Sequence, residues 1–214
     1  YLRFAVSRAL RNCATADQLT AAHDASTLVG RLNLVVALRG NESPRSLEPF
    51  LGDASEQVAT EATRALHDDF SSDEQLQVLA AALPAAQHDG ESFIRRLLNA
   101  NYRLGGREHF ESVAQYASQE TNSVPLRIDG RRRYATLPRE TDAARLGSVL
   151  SKLASEDNPK LQSAAIDAAA RTRPPLSADS LSEIVRTTNQ DVDLRIAALK
   201  TLDKQNPEVL KKVL

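Results

Sequence analysis

The chain has 214 residues, of which 42% are hydrophobic and 26% charged, and its formal net charge is −1. These values are typical of a globular protein, and they provide no overall field that would attract nucleic acid or an anionic membrane. Only 4% of the residues are aromatic and Trp is absent, which favours closely packed helices over β-sandwiches or barrels. Every apolar run is shorter than the roughly 18 residues that a membrane-spanning helix needs, so we expect no membrane insertion.

The chain contains no Met, and its first residues, Tyr1–Phe4, already have the pattern of the middle of a helix. We therefore expect it to be a segment of a longer, multidomain protein.

A short pattern recurs along the chain and predicts repeated helices. Its first three copies end in Ala-Leu at residues 9–10, 37–38 and 65–66, a constant spacing of 28 residues. Because the apolar residues of each copy recur at helical spacing, each copy is predicted to be a helix with one buried face. Of the seven copies, four align well, at residues 2–10, 30–38, 58–66 and 194–202. Two divergent copies lie at residues 94–100 and 161–169, and a weaker one lies at residues 126–134.

The third copy illustrates the predicted face. Glu61 and Arg64 are expected to point away from the core. The apolar face comprises Val58, Ala62, Ala65 and Leu66. A helix of this length is not stable alone and must bury its apolar face against a neighbour.

The neighbours are predicted just upstream of several copies. Apolar helical segments occur at residues 47–51, 73–83, 144–153 and 178–186. Turn sequences that favour helix ends and N-caps separate the two helices of a pair. These turns lie at residues 52–55, 156–159 and 188–191.

A helix, an acidic or Asn/Pro turn, and a Val/Leu-Arg-x-x-Ala helix form the HEAT-repeat pattern, which Leu194–Ala198 shows most fully. We therefore predict an all-α fold. The expected architecture is a right-handed α-solenoid of about seven HEAT-like antiparallel helix pairs, in one repeat domain over residues 1–214. An irregular bundle of Ala-rich helices is the alternative.

The residues that most often bind metals or act as nucleophiles are scattered. The four histidines are His23, His67, His88 and His109, and Cys13 is the single cysteine. Their spacing matches no zinc, haem-attachment or redox motif. We therefore predict no catalytic residues, no metal and no cofactor in this segment, and we expect Cys13 to be a small buried hydrophobe.

The most distinctive polar residues lie in two stretches. His67–Asp69 closes the third helix copy and is either a polar contact point or an exposed turn between repeats. Two Asn residues occur inside the helical stretch Asn99–Gly105, where side-chain hydrogen bonds are expected to compensate for poor helix propensity. This second stretch is either an anion or partner site or a set of groups that hold neighbouring loops. The candidate interaction or structural cluster is His67, Asp68, Asn99, Asn101, Tyr102 and Arg103.

Arg127 and the run Arg131–Tyr134 form the densest basic cluster. Adjacent arginines fan around a helix instead of lining one face. We therefore expect a solvated surface, with nucleic-acid binding as the alternative.

The order of the motifs resembles one known family. The motifs are Val36–Arg39, Leu47–Asp53, Glu61–Asp68, Arg95–Gly105 and Pro125–Arg127. In this order they resemble the HEAT-repeat region of the large exported haem-binding proteins of planctomycetes and related bacteria, which are often labelled membrane-bound dehydrogenase-like. The resemblance covers roughly residues 1–170.

This resemblance implies a role for the segment. In that family a sugar-dehydrogenase-like β-propeller precedes the repeats, and a c-type cytochrome domain with Cys-x-x-Cys-His follows them. The present sequence has no Cys-x-x-Cys-His, so haem would belong to a separate domain. The implied role is a non-catalytic spacer in the periplasm or outside the cell, whose partners are neighbouring domains or another protein.

Two other functions remain open from the sequence. The first is a free-standing HEAT-repeat adaptor. The second is a HEAT-like DNA glycosylase, which needs a basic concave face and aromatic residues to hold a lesion. The near-neutral charge and the absence of Trp disfavour the glycosylase, and no nucleic-acid partner is expected.

Overall fold

The computed structural model describes residues 2–39, 43–68, 71–134, 154–170 and 176–213, without the side chains of residues 2–3 and 131–134. Within these ranges the regular structure is entirely helical. This confirms the prediction of an all-α fold. The helices form two units, residues 1–105 and residues 106–214. The single repeat domain stays a prediction.

Among its described residues, the first unit contains seven α-helices and two short 3₁₀ segments, Pro44–Leu47 and Leu83–Ala85. The α-helices are α1 (Leu2–Cys13), α2 (Ala16–Ala21), α3 (Leu28–Leu38), α4 (Glu48–Leu51), α5 (Glu56–His67), α6 (Asp73–Ala82) and α7 (Glu91–Leu104). Local sequence explains several starts. Thr15 before α2 and Ser72 before α6 each form a capping box, in which the cap side chain and the Gln three residues later satisfy each other's backbone N–H groups.

Packing in the first unit joins alternate helices. Helix α1 packs against α3, α3 against α5, and α5 against α7. Helix α4 lies against α5, and α6 lies against both α5 and α7. The apolar face predicted on α5 is confirmed, since Val58 and Ala62 are fully buried and Ala65 and Leu66 are 1% exposed. The buried face also includes Thr63, so α5 is covered by helices on more than one side.

The second unit contains six α-helices among its described residues. They are α8 (Arg107–Ser118), α9 (Val124–Tyr134), α10 (Pro159–Ala169), α11 (Ala178–Arg186), α12 (Val192–Gln205) and α13 (Pro207–Val213). Helix α9 packs against α8 and α10, and α12 packs against α10, α11 and α13. The buried side chains between α10, α11 and α12 are Leu, Ile, Val and Ala.

The repeat pattern located the helices correctly. Its seven copies fall within α1, α3, α5, α7, α9, α10 and α12. Two of the predicted turns also cap helices as expected. Asn158 accepts hydrogen bonds from the N–H groups of Lys160 and Leu161, and Asp191 accepts them from Asp193 and Leu194. The partner helix predicted at residues 144–153 lies outside the described residues.

Two glycines end α7 in a backbone conformation that side chains resist. Gly105 has φ 66° and Gly106 has φ 81°, and α7 ends at Leu104 just before them. Replacing Gly106 with Ala should lower the free energy of unfolding by about 2 kcal/mol, because this region of backbone space is nearly restricted to Gly. Urea unfolding followed by circular dichroism measures the change.

Gly52 offers the matched control for this prediction. It caps α4 with φ −95°, and a Cβ there would meet only the Pro49 carbonyl oxygen at 4.0 Å. Gly52→Ala should therefore change stability by only a few tenths of a kcal/mol. Equal losses in the two variants would contradict the backbone argument.

Candidate functional site

The two polar stretches singled out by the sequence meet in the structure. His67 is the last residue of α5 and Asn99 lies on α7. The His67 Nε2 and Asn99 Oδ1 atoms are 2.9 Å apart, and His67 Nδ1 lies 3.1 Å from Asp68 Oδ1. The His67 side chain therefore joins two helices that pack together.

Asp68 continues this contact with a two-point ion pair. Arg96 on α7 donates through Nε and Nη2 to the two carboxylate oxygens of Asp68, both at 2.8 Å. The hydrogen bond from Arg96 lowers the pKa of Asp68 most strongly, burial opposes this effect, and His67 adds to the lowering. Paired geometry of this kind favours the ionised carboxylate and holds α7 against the end of α5.

The pKa shift of Asp68 predicts a pH-dependent contribution to stability. A carboxyl whose pKa is lowered by folding stabilises the folded state above its unfolded pKa of about 4, and this stabilisation is lost as pH falls through the folded pKa. At neutral pH Asp68→Asn should therefore cost about 1 kcal/mol, since the pair is partly solvent-screened. The cost should shrink steadily below about pH 4.

Urea unfolding at neutral pH and at about pH 2.5 measures this difference. The control is Asp203→Asn on α12, where the residue is exposed. If Asp68→Asn lowered the free energy of unfolding by the same amount at both pH values, the loss could not be attributed to the ion pair.

Asn101 has a structural position. It is 1% exposed, and its Nδ2 donates to the Leu97 carbonyl oxygen at 3.0 Å and to the Ala80 carbonyl oxygen at 3.3 Å. The first bond compensates for Asn within the helix, as predicted, and the second ties α7 to α6.

Arg103 and Tyr102 complete the candidate cluster. Arg103 is exposed, and its Nη1 donates to Ser71 Oγ at 3.2 Å. Ser71 Oγ in turn donates to the His67 carbonyl oxygen at 2.8 Å. Tyr102 is half-buried on the same helix. These contacts bind α7 to α5, to α6 or to Ser71.

A second polar centre lies around Asp53, which the sequence indicated only as a turn residue. Its side chain is 2% exposed and lies 2.6 Å from Arg31 Nε and 2.9 Å from His23 Nε2. Ser55 N–H donates to its Oδ1 at 2.7 Å, and His88 Nε2 lies 2.7 Å from its carbonyl oxygen. Residues of three other segments of the first unit, His23, Arg31 and His88, therefore meet at the segment Asp53–Ser55.

The surroundings of Asp53 favour its charged form. Burial alone would raise the pKa of Asp53, but the Ser55 N–H, His23 and Arg31 together outweigh burial and lower it. No local motif marks this convergence. The only signal in the sequence is that His23 and Asp53 are 30 residues apart, close to the repeat spacing.

The structure corrects the prediction for Arg127. Its side chain is 4% exposed, whereas the sequence suggested a solvated surface. Arg127 Nε donates to the Ala117 carbonyl oxygen at 2.9 Å, and its Nη2 donates to Glu156 Oε1 at 2.6 Å. Burial is tolerated because the charge is paired and hydrogen-bonded. The side chains of Arg131–Tyr134 lie outside the described residues.

Cys13 was also predicted wrongly. It is exposed at the end of α1, and its place on that helix overrides the usual preference of cysteine for the interior.

Across the described ranges, His, Cys, Asp and Glu residues form no group of three or more that suits a metal ion. In the same ranges, no helix has the length and apolar character to cross a bilayer.

Comparison of the sequence with protein-family models and with curated proteins gives no match. The resemblance to exported haem-binding proteins therefore rests on the motifs themselves. Two of these, Glu61–Asp68 and Arg95–Gly105, contain the residues that join α5 and α7.

Proposed function

We propose that the chain is a right-handed α-solenoid of HEAT-like helix pairs and acts as a non-catalytic scaffold or protein-interaction module. The observation that carries this proposal is the recurrence of polar contacts between residues about one repeat apart. In a solenoid each repeat contacts only its neighbours, so contacts are expected at this separation along the whole array.

Side-chain contacts at this separation recur, and three of them illustrate the pattern. His23 and Asp53 are 30 residues apart, Asp68 and Arg96 are 28 apart, and Arg127 and Glu156 are 29 apart. The first two belong to the first unit and the third to the second unit. All three lie near the 28-residue spacing of the Ala-Leu pattern.

Bonds to backbone carbonyl groups extend the same regularity. Arg11 Nε donates to the Ala37 carbonyl oxygen at 3.1 Å, 26 residues away, and links α1 to α3. Gln205 Nε2 donates to the Ala169 carbonyl oxygen at 2.8 Å, 36 residues away, and links α12 to α10. These pairs join consecutive copies of the predicted repeat, as stacked layers require.

Hydrogen exchange measured by mass spectrometry tests the solenoid. Leu202 is fully buried on α12, so Leu202→Ala should remove a large apolar contact. In a linear array the loss of protection should be greatest in α10 to α13 and should fall off toward α8. A closed bundle would instead lose protection in all helices of the second unit together.

The exposed neighbour Asp203 supplies the control for this experiment. Asp203→Ala should leave the exchange pattern unchanged, because surface substitutions away from paired groups have small effects. The solenoid proposal would be overturned if Leu202→Ala lost protection equally in all helices of the second unit while Asp203→Ala showed no change.

The parent protein that we infer is a haem-binding dehydrogenase-like protein of the periplasm or cell exterior. In it the segment would serve as a spacer between domains, and haem would be bound by a separate domain. The support is the pairing of its two most specific motifs across α5 and α7. The complete reading frame tests this. Strand-rich propeller blades before the segment and Cys-x-x-Cys-His after it are expected, whereas a reading frame with neither would favour a free-standing adaptor.

The DNA-glycosylase alternative has its own test. A gel-shift assay with duplex DNA at low salt should show no binding if the chain is a protein scaffold. Tight binding that weakens steeply with added salt would favour the nucleic-acid function instead.

A further inference from the structure

The exposed side of α3 is apolar along about two turns. Leu28 and Val29 are 40% and 64% exposed, and Leu32 and Val36 are half-buried. Side chains three or four residues apart on a helix are neighbours, so these four residues form one surface, which we call the α3 ridge. The opposite side of α3 is also apolar and lies in the core. A helix that is apolar on opposite sides is normally covered on both.

Packing within the first unit does not explain the α3 ridge. Helix α5 carries the next copy of the repeat, 28 residues later, and it packs against α3 and α7. Its residues at the four equivalent positions are Glu56, Gln57, Thr60 and Arg64, and all but Thr60 are exposed. This side of the repeat therefore stays uncovered even where a helix has neighbours, and polar residues suit it. An exposed apolar surface at the same positions of α3 marks an interaction site.

Helix α1 extends the apolar surface and adds charge at its edge. The repeat register places Phe4 level with Leu32 on the neighbouring helix, and Phe4 is 71% exposed. Arg8 and Arg11 are exposed on α1, which contains no Asp or Glu. Within the described part of the chain, neither arginine forms an ion pair. The α1 edge of the ridge therefore carries positive charge that no carboxylate balances.

The edge on the side of α5 has a different charge. The Arg64 Nη1 and Glu61 Oε2 atoms are 3.3 Å apart, and Arg64 Nε lies 3.7 Å from Asp68 Oδ2. Arg64 is thus balanced by neighbouring carboxylates, and Glu56 is exposed at the start of the same helix. The unbalanced positive charge beside the ridge lies on the α1 side alone.

This distribution of charge selects among possible occupants of the ridge. A second copy of the chain would bring the same unpaired arginines, and like charges oppose association. An anionic bilayer would extend over the carboxylates of α5 as well as the arginines of α1, and it would be repelled there. A helix is only about 10 Å across with its side chains. A single helix can therefore lie along the ridge and direct acidic residues at α1 alone.

We propose that the α3 ridge, with Phe4, is a docking surface for an acidic amphipathic helix of a partner protein. The apolar face of that helix covers the ridge, and carboxylates along one edge meet Arg8 and Arg11. Apolar contact supplies most of the affinity, and the arginines select acidic partners and fix their orientation. This inference rests on the proposed function as a protein-interaction module and states the class of its partner.

Two designed peptides test the chemistry of the site. Each is fluorescently labelled, has about 16 residues, or about four helical turns, and carries Leu along one face. The flanking positions are Glu in one peptide and Lys in the other. By fluorescence anisotropy at low salt, the Glu peptide should bind the chain at least about tenfold more tightly than the Lys peptide, and added salt should reduce the difference. Equal affinities, or no binding of the Glu peptide, would overturn the proposal.

Three variants at exposed positions locate the binding. Val29→Asp should weaken binding of the Glu peptide at least about tenfold, because it places a carboxylate within the apolar contact. Val192→Asp is the matched control, since Val192 is 67% exposed on α12 in the second unit, and it should bind as the wild type does. Arg8→Glu should make the chain prefer the Lys peptide. Wild-type affinity in Val29→Asp, with folding checked by circular dichroism, would show that the peptide binds elsewhere.

The same variant distinguishes the other occupants. Light scattering after size exclusion would reveal a wild-type dimer that Val29→Asp converts to a monomer, which would assign the ridge to a second copy. Sedimentation with vesicles of phosphatidylserine and phosphatidylcholine would reveal bilayer binding that Val29→Asp abolishes. Either result would overturn the proposal. Its failure leaves the solenoid proposal intact, because that proposal is tested by hydrogen exchange in the second unit.

Discussion

Replacing Asp53 with Ala should lower the free energy of unfolding of the first unit by about 3 to 5 kcal/mol, because it removes one partner from a buried charge network. The Asp53 side chain is 2% exposed and contacts Arg31 and His23, which are themselves 22% and 17% exposed. The substitution leaves the Arg31 guanidinium and the His23 ring without their buried carboxylate partner. It also removes the acceptor for the Ser55 N–H at the start of α5. Urea unfolding followed by circular dichroism measures the loss.

Asp24→Ala is the matched control for this prediction. Asp24 also contacts His23, but it is 98% exposed, so its replacement should change stability by less than about 1 kcal/mol. A double variant, Asp53→Ala with Arg31→Met, should recover part of the loss, because it removes a charge that the single variant leaves uncompensated. Similar losses in Asp53→Ala and Asp24→Ala would show that burial of the network has no energetic consequence.

The second large effect is expected at Arg127. Its side chain is 4% exposed and donates to Glu156 and to the Ala117 carbonyl oxygen. Arg127→Ala should destabilise the second unit by about 3 kcal/mol, since Glu156 loses its partner and the buried Ala117 carbonyl loses a donor. The packing of the arginine stem is lost as well.

A double-mutant cycle separates the pair from the packing. Arg127→Met keeps much of the stem volume, and Glu156→Gln removes the opposite charge. The coupling energy of the two residues should lie near 2 kcal/mol. Arg186→Ala, at an exposed position on α11, is the control and should have little effect. A coupling energy close to zero would contradict the importance of the ion pair and leave packing as the cause of the loss.

Sequence periodicity located the helices because it is a local property. Val58, Ala62, Ala65 and Leu66 recur at helical spacing, and each of them is buried in the structure. Asn158 and Asp191 were identified as caps for the same reason, since a cap contacts backbone groups only two or three residues away. For such features the interacting groups are only a few residues apart along the chain.

The polar cluster shows which part of a contact the sequence can indicate. The two stretches around His67 and Asn99 were recognised as unusual because polar groups within or at the end of a helix need partners. The sequence did not show that they are partners of each other. Their contact requires α7 to pack on α5, and both segments lie within one unit of the fold.

Arg127 and Cys13 show where residue type misleads. Arginine is usually exposed and cysteine usually buried, yet the structure has the opposite arrangement at these two positions. Arg127 is buried because Glu156, 29 residues away, neutralises it. Residue type predicts only the average exposure of a side chain over many proteins, whereas the exposure of one side chain depends on its position on the packed helix.

The sequence by itself determined that the chain is helical, where the copies of the repeat lie, and which residues face the core of α5. These properties depend on hydrogen bonds and side-chain spacing within about one or two helical turns. Only the tertiary structure decided that Asp53 is a buried centre for His23 and Arg31, and that Arg127 is paired in the interior. Such contacts join residues more than 20 positions apart in the chain, and small differences in how successive helices pack select which side chains meet.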